Sequence, residues 1–116
     1  MKKLLITGGS GFIGTNLIEY LKDKYEILNV DIKQPKIQSH CKYWANIDIT
    51  NSSYIAATLD DFKPDFLIHL AARTDLRGSS IDDYDSNTVG TVNLLSLFGK
   101  CGSLQKLILA SSKFIA

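Results

Sequence analysis

The residues best suited to chemistry lie near the start of the chain, where Gly8-Gly9-Ser10-Gly11-Phe12-Ile13-Gly14 follows the apolar run Leu4-Leu5-Ile6. Gly9, Gly11 and Gly14 satisfy G-x-G-x-x-G, and Gly8, Gly11 and Gly14 satisfy the variant with two residues between successive glycines. A glycine turn between a strand and a helix is suited to a pyrophosphate. One glycine takes backbone angles closed to side chains, one lets the phosphates approach, and one lets helix pack against strand. The helix that follows supplies unpaired N–H groups and the positive end of its dipole. No lysine or arginine stands between Thr7 and Asn16, so the peptide itself would hold the anion.

A carboxylate belongs with such a turn. Asp31 lies twenty residues past Gly11 at the end of the apolar segment Tyr25 to Val30, where a dinucleotide fold uses an acid to accept hydrogen bonds from ribose hydroxyls. That acid would repel a 2′-phosphate, which favours NAD over NADP, although Lys33 and Lys36 stand close by. Other candidates are weaker. His69, on an apolar segment, reads as a hydrogen-bonded core histidine rather than a catalyst. Arg73, Asp75 and Arg77 suit either a phosphorylated ligand or a solvated loop. Cys41 and Cys101 are far apart and lack neighbouring paired histidines, which argues against a metal site and against a disulfide framework.

The elements that must position these groups alternate strand and helix, the order of a parallel sheet with crossover helices. Lys3 to Thr7, Tyr25 to Val30, Tyr43 to Ile47, Phe66 to Leu70 and Lys106 to Ala110 read as strands. From Ile13, the positions Leu17, Tyr20 and Leu21 recur at helical spacing up to Lys22-Asp23-Lys24. A second helix carries Ile55, Leu59 and Phe62, starts at Asn51-Ser52 as caps and ends at Lys63-Pro64. A third runs from about Ser86 to Phe98, with Gly90 suggesting a close approach. Gln34-Pro35 and Lys36 to Cys41 read as loop, and Trp44 as packing.

Composition narrows the classes. The 116 residues, 45% of them hydrophobic, suit one domain with a core, and a net charge of +1 with dispersed cations offers no surface for nucleic acid or anionic membrane. No stretch has transmembrane length, and the first apolar run is too short for a signal peptide. Two unpaired cysteines fit a reducing, cytoplasmic setting.

With these blocks in order, the chain resembles the extended short-chain dehydrogenase/reductase family, the NAD-dependent nucleotide-sugar epimerases and dehydratases. Thr7 to Gly14, Asp48-Ile49-Thr50, Ile68-His69-Leu70-Ala71-Ala72, Asn87 to Leu95, and Leu109-Ala110-Ser111-Ser112 with Ile115 carry the resemblance. It implies a Rossmann-like doubly wound parallel α/β sheet of about five strands, incomplete relative to the family, over a single domain at 1–116. It also implies that Gly8, Gly11, Phe12, Ile13 and Gly14 receive the pyrophosphate, and that Asp48 and Ile49 meet the adenine. Leu70, Ala71, Ala72 and Thr74 would line the cofactor cleft, and Asn87 would anchor the cofactor and its helix. A buried Asp48 bonding the adenine is the chemically plausible form of that contact.

The resemblance further implies oxidation of a sugar hydroxyl of a nucleotide-sugar substrate by NAD, with Ser112 positioning that hydroxyl and a tyrosine, four residues before a lysine, moving the proton. The bare spacing Tyr-x-x-x-Lys occurs only at Tyr20 and Lys24, on the first helix and away from the carboxyl ends of the strands where ligands bind. The chain therefore reads as the truncated N-terminal part of such an enzyme, inactive alone and without the substrate domain. A standalone dinucleotide-sensing or protein-interaction module is the alternative, and pairing through an open fifth-strand edge would make a homodimer.

Overall fold

The computed structural model describes residues 1–70, 96–97 and 99–109. Five strands form one wholly parallel sheet: β1 (Lys2–Thr7), β2 (Tyr25–Asp31), β3 (Trp44–Asn46), β4 (Phe66–His69) and β5 (Lys106–Leu109), in the order β3-β2-β1-β4-β5. This is the doubly wound α/β arrangement that the resemblance implies, built on the parallel sheet expected from the alternation. The chain leaves β1 toward β2 on one side and later returns to β4 on the other, so the order reverses at β1. Open sheets of this kind bind ligands in the crevice beyond the carboxyl end of such a switch point. The glycine turn occupies that position.

The two faces of the sheet bury different residues because side chains alternate along each strand. Leu4, Ile6 and Ile27 face α1 (Phe12–Leu21), whose Gly14 and Ile18 are buried, with Leu17 and Leu21 packed alongside. Leu5, Val30 and Leu67 face α2 (Ser52–Phe62) through Ile55 and Leu59, joined by Ile49 from the approach to that helix. The helical stripe on α1 thus runs through Ile18. Tyr20, expected on it, stands 69% exposed beneath the Lys24 ammonium, 4.3 Å from its ring centroid.

Helix ends follow local chemistry. The Asn51 side chain caps α2 by accepting from the Tyr54 N–H at 3.2 Å. Lys63 ends that helix in the left-handed region at φ 52°, its N–H donating to the Leu59 carbonyl, and buried Pro64 turns the chain into β4. Between β2 and β3, expected as loop, Gln38–Tyr43 forms a short 3₁₀ helix. It is held by buried His40, whose Nε2 lies 2.7 Å from Glu19 Oε1 on α1. The carboxyl of Glu19 is held below its usual range, first by that bond and then by Lys22. The expected third helix falls largely outside the described residues.

Candidate functional site

Each glycine of the turn has its own reason to be there. Gly8 sits at φ 75°, a conformation that strains any side chain. A Cβ on Gly14 would overlap Gly9 Cα and lie 2.6 Å from its carbonyl carbon, so α1 can seat against the turn only without a side chain there. A Cβ on Gly9 would lie 2.6 Å from Asn29 Cγ. Gly11 differs. A Cβ there meets nothing nearer than the Gly8 carbonyl oxygen at 3.7 Å, and its φ of −79° is open to any residue. Protein packing does not require glycine at position 11, and the space before it is open.

The amides divide in the same way. Gly8 N–H donates to the Val30 carbonyl at 2.9 Å, Gly9 N–H to Asn29 Oδ1 at 2.8 Å, and Ser10 N–H to Asp31 Oδ2 at 3.0 Å. Beyond Gly11 the helix begins with no side-chain cap and no acidic residue in its first turn. Its first N–H groups have no intrahelical acceptor by construction, and Phe12 and Ile13 are 75% and 64% exposed. The donor set fits a pyrophosphate: amides without an intrahelical acceptor, a favourable dipole and open space at Gly11.

Asp31 stands beside this opening, half-buried at the end of β2. Its Oδ2 accepts from Ser10 N–H and its Oδ1 from Lys33 N–H at 3.0 Å. Each carboxylate oxygen keeps a further lone pair for a hydroxyl. The Trp44 indole N–H donates to the Asp31 carbonyl at 2.9 Å, so this tryptophan fixes the strand end as well as packing. Asn46 pairs with Asp31 across β2 and β3, which brings Asp48 and Ile49 out at the same edge of the sheet. Ile49 is buried in the α2-side core. Asp48 is exposed rather than buried, and its Oδ1 accepts from both the N–H and the hydroxyl of Thr50, at 2.9 and 2.8 Å. Its side chain shapes the turn into α2.

Across the switch point, Thr7 and His69 are register partners at the ends of β1 and β4, with Thr7 Oγ1 2.6 Å from His69 Nδ1. Leu70 N–H donates to both the carbonyl and the hydroxyl of Thr7, at 2.8 and 3.1 Å. His69 is thus the hydrogen-bonded core histidine expected, 2% exposed, and burial holds its pKa below the ordinary histidine value. Ala71, Ala72, Arg73, Thr74, Asp75, Arg77, Asn87, Gly90 and Ser112 lie outside the described residues. Asn29 is the site residue that the motif misses. Its signal was a lone carboxamide in the apolar strand Tyr25 to Val30, two residues before Asp31 and therefore on the same face.

A cavity of about 450 Å³ lies between α2 and the segment before β5, lined by Leu59, Lys63, Lys100 and Cys101 among others. It sits toward the amino ends of the strands and takes no residue from the turn. Among the described residues no group of histidines, cysteines and acids could hold a metal, and no helix is long and apolar enough to cross a membrane.

Comparison with known proteins agrees with this geometry. The model of the NAD dependent epimerase/dehydratase family matches residues 4–116. GDP-6-deoxy-D-talose 4-dehydrogenase of Aggregatibacter actinomycetemcomitans is 40% identical over 96 residues, covering 80% of this chain and 29% of that enzyme. UDP-glucuronate 4-epimerase of Thermodesulfobacterium geofontis is 35% identical over 128 residues, covering 96% and 39%. The crystal structure of dTDP-glucose 4,6-dehydratase from Bacillus anthracis in complex with NAD superposes with a TM-score of 0.80 at 28% identity, covering 96% of this chain and 37% of that one. The chain therefore spans well under half the length of these relatives.

Proposed function

Because the chain belongs to the NAD dependent epimerase/dehydratase family, we propose that it is the N-terminal, NAD-binding part of an enzyme acting on a nucleotide sugar. The observation that carries this reading is the asymmetry of the glycine turn. Gly11 and the uncapped start of α1 leave open space and unpaired donors at the switch point, with Asp31 beside them. Phe12, Ile13 and Gly14 hold the pyrophosphate through their amides. Asp31 takes the adenosine ribose hydroxyls and favours NAD over NADP by repelling a 2′-phosphate. Asp48 and Ile49 border the adenine, with Asp48 acting from an exposed position beside the Thr50 turn. Leu70, Ala71, Ala72 and Thr74 line the cleft, and Asn87 anchors the cofactor.

NAD, when bound, supplies the hydride acceptor for a sugar hydroxyl. Ser112 positions that hydroxyl in the whole enzyme. The 116 residues hold Tyr-x-x-x-Lys only at Tyr20 and Lys24, and Tyr20 lies on the outer surface of α1. In this reading they form the cofactor domain, and the proton-transferring pair and the sugar-binding domain belong to the rest of the enzyme. The relatives act on GDP-, UDP- and dTDP-linked sugars, so the nucleotide of this substrate is not specified by the cofactor half. Free Cys41 and Cys101 support a reducing, cytoplasmic setting.

Calorimetric titration tests the proposal. The protein is expected to bind NAD saturably and NADP more weakly, and Asp31→Ala to weaken NAD while narrowing the gap between the two. No saturable binding up to about 1 mM NAD, an affinity of only about −4 kcal/mol, would refute it.

A further inference from the structure

The carboxyl end of β2 meets the glycine turn one amide at a time: Asn29 takes Gly9, Val30 takes Gly8, and Asp31 takes Ser10. Val30 contributes only its carbonyl, which any residue supplies. Asn29 contributes a side chain, and that side chain is fully buried at 0% exposure on the sheet face shared with Ile27. A carboxamide in such a place is costly unless its hydrogen bonds are met. Both ends are met by the turn. Oδ1 accepts from Gly9 N–H at 2.8 Å, and Nδ2 donates to the Oγ of Ser10, itself 2% exposed, at 3.2 Å. The same group fills the space into which a Gly9 side chain would project. Asn29 therefore both brackets the first half of the turn and forms a wall beneath it.

We propose that Asn29 is the positioning residue of the phosphate turn: its carboxamide fixes Gly9 and Ser10, so that the amides of Phe12 and Ile13 are already turned outward before a dinucleotide arrives. Fixing the turn in advance lowers the ordering cost of binding. Asn29 lies beneath the turn and acts through Gly9 and Ser10. The affinity part of this inference rests on the NAD reading above; the templating part rests on the contacts alone.

Amide hydrogen exchange by NMR on the ligand-free protein separates the two. In the wild type, Gly9 and Ser10 exchange slowly and Phe12 and Ile13 fast; equal rates across the four would overturn the proposal without any variant. In Asn29→Ala, exchange at Gly9 and Ser10 rises about tenfold or more while the β1 amides of Leu5 and Ile6 keep their protection. Asn29→Asp keeps the acceptor and restores protection at Gly9. Unchanged exchange at Gly9, or an equal loss in β1, would mean that Asn29 is an ordinary core residue. Calorimetry then reads the affinity part: the NAD Kd rises about tenfold in Asn29→Ala, the scale of one hydrogen bond. Lost protection with an unchanged Kd overturns that part. A wild type that binds no NAD refutes the proposed function and still leaves the exchange pattern to decide whether Asn29 templates the turn.

Discussion

The two halves of the glycine turn are built on opposite plans. From Gly8 to Ser10 each amide is bonded inward to the end of β2, and each glycine is demanded by the protein, through a positive φ at Gly8 and the Asn29 wall at Gly9. From Phe12 the amides open the helix with no side-chain cap, while Gly11 donates its own N–H to the Gly8 carbonyl at 3.4 Å and has free space where a side chain would stand. A glycine-rich motif thus mixes two kinds of requirement. Some of its glycines are required by folding and Gly11 is not, its role under the proposed function being to admit the phosphate, and the spacing G-x-G-x-x-G does not distinguish them.

That contrast can be broken by substitution, and the largest effect belongs to Gly14. Its Cβ would run into the backbone of Gly9, which cannot yield as a side chain can, so Gly14→Ala should cost about 3 kcal/mol in urea denaturation. Next comes Gly9→Ala, at about 2 kcal/mol, because the obstacle is the Asn29 carboxamide. In an Asn29→Ala background the added cost should shrink by about 1 kcal/mol or more, a coupling that a double-mutant cycle measures directly.

The switch-point wall gives a smaller, pH-dependent effect. Burial lowers the pKa of His69 in the fold, so the unfolded chain takes up a proton at this residue that the native state resists. The contribution is fully present above the ordinary histidine value of about 6.5 and is lost as pH falls below it toward the folded value. Denaturation midpoints between about pH 8 and about pH 5 should fall more steeply in the wild type than in His69→Gln. The smallest stability change belongs to Gly11→Ala, within about 0.5 kcal/mol, since no protein atom is displaced. Its NAD affinity should nonetheless drop about tenfold or more in calorimetry, the cost of a methyl where a phosphate would lie. A large loss of stability at Gly11, or none at Gly14, would collapse the distinction between the two halves.

Much of the frame was legible because it rests on periodicity. Strand alternation and the Ile55-Leu59-Phe62 stripe need only local patterning, and the reversal of strand order follows from the resemblance carried by five ordered blocks. What escaped was non-local. Gln38–Tyr43 is too short for a periodic signal and owes its helix to His40 reaching Glu19 on α1. Tyr20 fits an apolar spacing yet faces outward, since the stripe that meets the sheet is centred on Ile18. Asp48 read as a buried ligand contact, but the neighbouring Thr50 draws its carboxylate into a local turn at the surface. The role of Asn29 depends on a turn twenty residues away in the chain, a relation invisible until β2 is laid beside β1.

Trp44 has a consequence of a different order. It is the only tryptophan in the chain, and its indole donates to the carbonyl of Asp31, whose carboxylate flanks the glycine turn. The protein therefore carries a single tryptophan one hydrogen bond from the Asp31 backbone, and exciting it selectively over the five tyrosines isolates its signal. Its emission depends on the geometry of the β2 end, so a dinucleotide entering the crevice as proposed is expected to change it without any label.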